Sequence, residues 1–192
     1  MGLFSTEPTE LTLHTERLRV SLPQPHDAAA LHFYYMKNRQ RLEPLEPTRP
    51  DDFYTLPYWN SRVASAQEAH RKDIYYSFII KMNKSEQVFG CINFMNINRG
   101  SSYSCRVGYS LDAESEGQGI MREALAEAIK YMFRVQSMHR IRAAYMPHND
   151  RSAKLLSSLG FQQEGLAKDY LLIDGTWRDH VLTALINPFW KP

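Results

Sequence analysis

The run Glu116-Gly117-Gln118-Gly119-Ile120-Met121-Arg122 sets two glycines, one residue apart, at the join of two differently patterned segments. Before it, Tyr103, Cys105, Val107, Tyr109 and Leu111 alternate with Ser104, Arg106, Gly108 and Ser110, the period of a half-buried strand. After it, Ala124, Leu125, Ala128, Ile129 and Met132 recur at helical spacing. A strand, a glycine turn and a helix start leave the first helical N–H groups without carbonyl partners and aim them outward together. The chemistry that suits such a turn is anion binding, and a phosphate-bearing ligand is the first expectation.

Two familiar phosphate loops do not fit. A Walker loop needs GxxxxGK[ST], and neither Lys-Ser nor Lys-Thr follows these glycines. A dinucleotide loop needs a third glycine near the first strand of a βαβ unit, and here Met121 and Arg122 follow instead. Taken alone, the two glycines are also compatible with a turn that binds nothing.

The elements that must position this turn can be read from the same patterns. Residues 11–20 alternate as an opening strand that ends by Pro23, and His26 to about Lys37 reads as a helix. Pro44, Pro47, Pro50 and Pro57 break the next stretch, which cannot be continuous helix and is long for a connection without structure of its own. Tyr58 to about Asp73 reads as a helix, and Tyr75–Met82 and Val88–Asn98 as strands about a polar turn. The strand at 102–111, the glycine turn and a helix to about Val135 follow. Arg140–Tyr145 is a short strand, and Asp150–Leu159 is a helix stopped by Gly160. Gln162–Ile173 and Thr176–Ile186 flank Asp174-Gly175, a tight-hairpin signal. This order predicts an α+β fold: a central, mainly antiparallel mixed sheet flanked by helices. A doubly wound parallel sheet would alternate strand and helix throughout.

Composition narrows the function classes. The 192 residues suffice for one domain with its own core. Lys and Arg number 23 against 21 Asp and Glu, and they are interleaved, without the basic stripe of a general nucleic-acid binder. A moderate basic spot near Arg99, Arg106, Arg122 or Arg140 would still favour an anionic ligand. Cys91 and Cys105 fit no zinc spacing and read as buried, reduced thiols, so no metal is expected. Met1-Gly2 with Thr6 fits the loose myristoylation pattern, with no basic cluster to reinforce it. The absence of a signal-peptide pattern and of long apolar runs leads to a cytoplasmic expectation.

Taken together, several segments resemble one family. The alternating strand, the Glu116–Ile120 loop and the amphipathic helix look like the acetyl-CoA site of the GNAT N-acetyltransferases. Leu13-His14-Thr15-Glu16-Arg17-Leu18-Arg19, Pro44-Leu45-Glu46-Pro47, Asn149-Asp150-Arg151-Ser152 with Leu159-Gly160-Phe161, and Tyr170 through His180 resemble elements of its RimJ/RimL branch in the same order. The resemblance covers nearly the whole chain. It implies one N-acetyltransferase domain over 1–192, with a core at about 11–188. It further implies direct acetyl transfer from acetyl-CoA, in a ternary complex, to the N-terminal alanine of a small-subunit ribosomal protein. The acceptor would be met alone, on the ribosome or on its precursor, without DNA or membrane. Alternatives are a small-molecule amine as acceptor, or a CoA-binding regulator or ribosome assembly factor with little catalysis.

Residue roles follow from the resemblance. The amides of Gly117, Gln118, Gly119, Ile120, Met121 and Arg122 would hold the pyrophosphate. Glu116 and Met121 depart from the family's [QR]xxGx[GA] pattern. Glu116 is expected to point to solvent, and Met121 to pack slightly loosely. The pantetheine arm would pair with Tyr109, Ser110 and Leu111, with Asn149 reaching it from the far side; Asn149 reads equally as a helix cap. Ser152 would act as the acid toward the leaving thiolate. Leu156 and Ala144 stand where relatives place a tyrosine and a glutamate. Glu46 is therefore the expected amine-binding group or base, with His148 a weaker alternative. Tyr34, Tyr35, Tyr54, Tyr58 and Trp59, and the hairpin at 174–178, would receive the acceptor.

Overall fold

A computed structural model describes residues 11–191, so the Met1-Gly2 motif lies outside the described residues. One sheet of eight strands runs in the order β1-β2-β3-β4-β5-β6-β8-β7. The strands are β1 (Thr12–His14), β2 (Leu18–Ser21), β3 (Tyr76–Met82), β4 (Gly90–Asn98), β5 (Ser104–Leu111), β6 (Arg140–Tyr145), β7 (Gln162–Ile173) and β8 (Thr176–Ile186). The helices are α1 (Ala28–Lys37), α2 (Arg39–Leu42), α3 (Leu56–Arg71), α4 (Ile120–Arg134) and α5 (Asp150–Ser158). β5 and β6 pair in parallel while the other neighbours pair antiparallel, which bears out the mixed, mainly antiparallel sheet.

The alternation of each strand divides the core between two faces. On one face, Leu18, Phe78, Ile80, Ile92, Phe94, Cys105 and Val107 pack against Ile120, Ala124, Leu125, Ala128 and Met132 of α4. On the other, Ile79 and Cys91 lie under Leu31, Tyr34 and Tyr35 of α1 and Trp59 and Val63 of α3. The apolar stripe of α4 and the inward residues of the sheet thus bury each other, the main favourable term in holding these layers together. Both thiols are buried, and burial pushes Cys91 and Cys105 up to about 12.

Several elements differ from the sequence expectation. Residues 11–20 form a hairpin, not one strand. Thr15 turns the chain because its N–H donates to the Leu18 carbonyl at 2.9 Å and its Oγ1 accepts from the Leu18 N–H at 2.9 Å. The first helix is preceded by a 3₁₀ turn at Pro25–Asp27. α3 starts two residues earlier than expected because Pro57 is tolerated in a first turn and Thr55 Oγ1 accepts from the Tyr58 N–H. The proline-rich stretch holds helical turns at Arg39–Leu42, Glu43–Leu45 and Asp51–Tyr54, so it is not structureless. The Asp174-Gly175 hairpin forms as expected: Ile173 pairs with Thr176, and both turn residues have positive φ.

Candidate active site

The site is built where β5 and β6 part. Their pairing covers Ser104↔Arg140, Cys105↔Ile141 and Arg106↔Arg142. Beyond that, β5 stays paired with β4 as far as Leu111, and β6 stays paired with β8 as far as Tyr145. The two strands therefore separate from Val107 onward and leave an open wedge with a free strand edge. An extended ligand can add to such an edge through backbone hydrogen bonds.

The alternation of β5 gives the wedge two different faces. Tyr109 and Leu111 join the core shared with α4 and α5. Ser110 lies opposite Cys91 in the register and therefore on the α1 and α3 face, where its Oγ accepts from the Tyr34 hydroxyl at 2.9 Å. Glu46 lies close to the same group, since its charge helps to hold the pKa values of Tyr34, Tyr35 and Cys91 up behind the larger effect of burial. Its carboxylate accepts from Arg49 Nε at 3.1 Å and is also paired with Arg49 Nη2.

At the mouth of the wedge, β5 turns at Asp112 into the glycine loop. Asn38 Nδ2 donates to Asp112 at 2.9 Å, and Lys37 Nζ lies 3.0 Å from the same carboxylate. Burial acts to raise the Asp112 pKa, but these two partners outweigh it and hold the carboxyl below its ordinary value. Gly117 and Gly119 both have φ of +74°, a conformation that costs a residue with a Cβ energy. A Cβ on Gly117 would meet nothing within 4 Å, so the outer side of the loop is open. Glu123 is the first residue of α4 whose N–H finds a backbone acceptor, at Gly119. Among the described residues, the amides from Gly117 to Arg122 have no protein acceptor. They therefore fit a pyrophosphate, with the positive end of α4 behind them. Arg122 is exposed beside them, whereas Arg99 is paired with Asp73 and Arg140 with Glu164.

Three side chains stabilise the loop from outside, and none was singled out from sequence. Arg17, in the β1–β2 turn, donates to the Gln118 carbonyl at 3.2 Å and to Glu123 of α4 at 2.7 Å. Arg41 donates to Glu116 at 3.0 Å and also to the Leu111 carbonyl. Arg151, on α5, pairs with the other oxygen of Glu116. Glu116 therefore does not point free into solvent as expected; it joins two arginines, and its side chain is only 23% exposed. Met121 is also corrected: it is buried in the α4 core, so its size fills space there and loosens nothing.

Asn149 caps α5, its Oδ1 accepting from the Ser152 N–H at 3.1 Å. That orientation leaves its amide nitrogen for a ligand. Ser152 is half-buried at the start of α5 and faces the hydroxyl of Tyr109. Burial pushes Tyr109 up to about 12, Ser152 pulls it partly back, and nearby Tyr145 raises it. Leu156 is buried core, and His148 is exposed just before Asn149. Tyr35 and Trp59 are buried and stacked, with ring centroids 4.5 Å apart, and they line a small cavity together with Arg49, Phe53 and Tyr58. Tyr54 does line a cleft of about 250 Å³ with Glu43, Arg49, Asp51 and the hairpin residue Asp174.

A split sheet with an amide-lined loop at its mouth and hydroxyls along its walls suits an extended, phosphate-bearing ligand such as an acyl-CoA. The family model described as an acetyltransferase (GNAT) domain matches residues 17–162. The chain belongs to this family and uses acetyl-CoA as its acetyl donor. It is 46% identical over 183 residues to the [ribosomal protein uS5]-alanine N-acetyltransferase of Escherichia coli (strain K12), covering 95% of this chain and 94% of that protein. The crystal structure of ribosomal-protein-S5-alanine acetyltransferase from Vibrio fischeri superposes with a TM-score of 0.91 at 41% identity, covering 95% of this chain and 100% of that one. Mycobacterium smegmatis RimJ in complex with CoA-disulfide gives 0.84 at 29% identity, covering 92% and 86%.

Proposed function

We propose that this chain acetylates the N-terminal alanine α-amine of the small-subunit ribosomal protein uS5. The observation that carries this reading is the match to the Escherichia coli enzyme along almost the whole of both chains. Acetyl-CoA supplies the activated acetyl group. The amides of Gly117 to Arg122 hold its pyrophosphate, and the free edge at Tyr109, Ser110 and Leu111 receives its pantetheine arm with Asn149 opposite. One domain carries both binding faces, and the acceptor meets the enzyme in the cytoplasm, free or within a ribosomal particle.

The chain's own residues divide the proton work between the two faces. On the acceptor side, Glu46 attracts the incoming ammonium and takes its proton directly or through water. An α-amine has a pKa of about 7.7–8.0, so a sizeable minority is already neutral near pH 7.5 and little base strength is needed. On the cofactor side, Ser152 donates to the sulfur as the carbon–sulfur bond breaks.

The test is turnover of acetyl-CoA by purified protein with a peptide that begins with the uS5 alanine, in competition with a polyamine and a lysine peptide. Many turnovers confined to the alanine peptide are expected. Preference for the polyamine, or a single turnover at most, would overturn the assignment.

A further inference from the structure

The wedge contains a hydroxyl for which the free protein has no use. The Tyr109 Oη is buried and, among the described residues, makes no hydrogen bond. Leaving a buried hydroxyl unpaired is destabilising, and a phenylalanine of the same shape would avoid that penalty. The polar groups near it are Ser152 and Tyr145; Ser152 is close enough to lower its pKa, but no bond is formed. Ser152 stands in the first turn of α5, where no preceding helical turn offers a carbonyl to its hydroxyl. The serine proton is therefore free to rotate until something fixes it.

We propose that Tyr109 is a positioning residue whose hydroxyl donates to Ser152 Oγ once the wedge is filled, turning the serine's own proton toward the sulfur of acetyl-CoA. This rests on the acetyl-transfer reading of the site given above. Burial keeps Tyr109 protonated throughout the working pH range, so toward Ser152 it acts as a donor. The amine loses one proton as its nitrogen bonds the acetyl carbon, and the sulfur gains one as its bond to that carbon breaks. Ser152 delivers the proton to sulfur and recovers one from water; Tyr109 keeps its own.

The test is Tyr109→Phe beside Ser152→Ala and the double variant, with three readouts. Thermal unfolding of the free protein should be unchanged or raised in Tyr109→Phe, because an unpaired hydroxyl has been removed. The thiol pKa of bound CoA, followed by ultraviolet absorbance of the thiolate, should rise by about one unit in each single variant and no further in the double. With the alanine peptide, kcat should fall about tenfold while the KM for acetyl-CoA stays within about twofold. A lowered unfolding temperature would make the hydroxyl an ordinary structural partner and overturn the proposal. So would an unmoved thiol pKa, or additive effects in the double variant. If the wild type does not turn over the alanine peptide, the acceptor assignment fails. The thiol titration needs no acceptor and still decides the role of Tyr109.

Discussion

The Arg41 guanidinium donates to the Glu116 carboxylate at 3.0 Å, joining residues 75 apart in the chain. Arg41 also holds the Leu111 carbonyl, so one side chain fixes both the end of β5 and the first residue of the glycine loop. The wedge and its anion-binding mouth are thereby held at a set distance from each other. Arg41→Gln should raise the KM for acetyl-CoA about tenfold, roughly 1.4 kcal/mol, with kcat little changed. Initial-rate kinetics over a range of acetyl-CoA concentrations check this; an unchanged KM would show that the loop keeps its shape without the bridge.

Ser152→Ala should lower kcat at least about tenfold while acetyl-CoA affinity barely moves, because its hydroxyl acts on the departing sulfur and not on the bound pyrophosphate. Calorimetric binding beside steady-state turnover separates the two effects. Equal turnover by the variant on saturating alanine peptide would remove the serine from the acid role.

Glu46→Gln removes a negative charge that acts on Tyr34 and Tyr35. The KM for the alanine peptide should rise about tenfold, or the pH optimum should move upward as more of the amine must arrive already neutral. A peptide titration repeated across pH 6.5–9 measures both. No change in either would return the proton to solvent.

Away from the site, Lys81 Nζ lies 2.6 Å from Asp27 and 2.6 Å from Glu86, with only 5% of its side chain exposed. Lys81→Met would leave Asp27 buried without its partner and should destabilise the fold by about 3 kcal/mol, read from urea denaturation. The same cluster sets a pH dependence. Lys81, then Arg19, hold Glu86 down to about 2 from an ordinary 4.5. A depressed carboxyl contributes fully above its unfolded value and loses that contribution as pH falls from 4.5 toward about 2. Wild-type stability should therefore decline through that window, and Lys81→Met should flatten the decline. Parallel slopes in the two proteins would place the acid sensitivity elsewhere.

Much of this was legible in the chain because it depends on local rules. The two-residue period of Tyr103–Leu111 determined a strand and put Tyr109 and Ser110 on opposite faces. The glycines and the helical stripe behind them determined a turn with free amides, and Asp174-Gly175 determined a hairpin. Thr15 was the local exception, since one side-chain bond to Leu18 turned an apparently continuous strand into two. What only the tertiary structure decided is where distant residues meet. The parting of β5 from β6 depends on which strands pair and for how long, and no period along the chain encodes it. Sequence alone sends Glu116 to solvent because its partners, Arg41 and Arg151, lie 75 and 35 residues away and reach it only through folding. Sequence alone assigns Tyr109 only a backbone role for the same reason. Its hydroxyl acquires a role only when α5 brings Ser152 across the wedge, since hydrogen bonds and ion pairs act over a few ångströms of space whatever the separation in sequence.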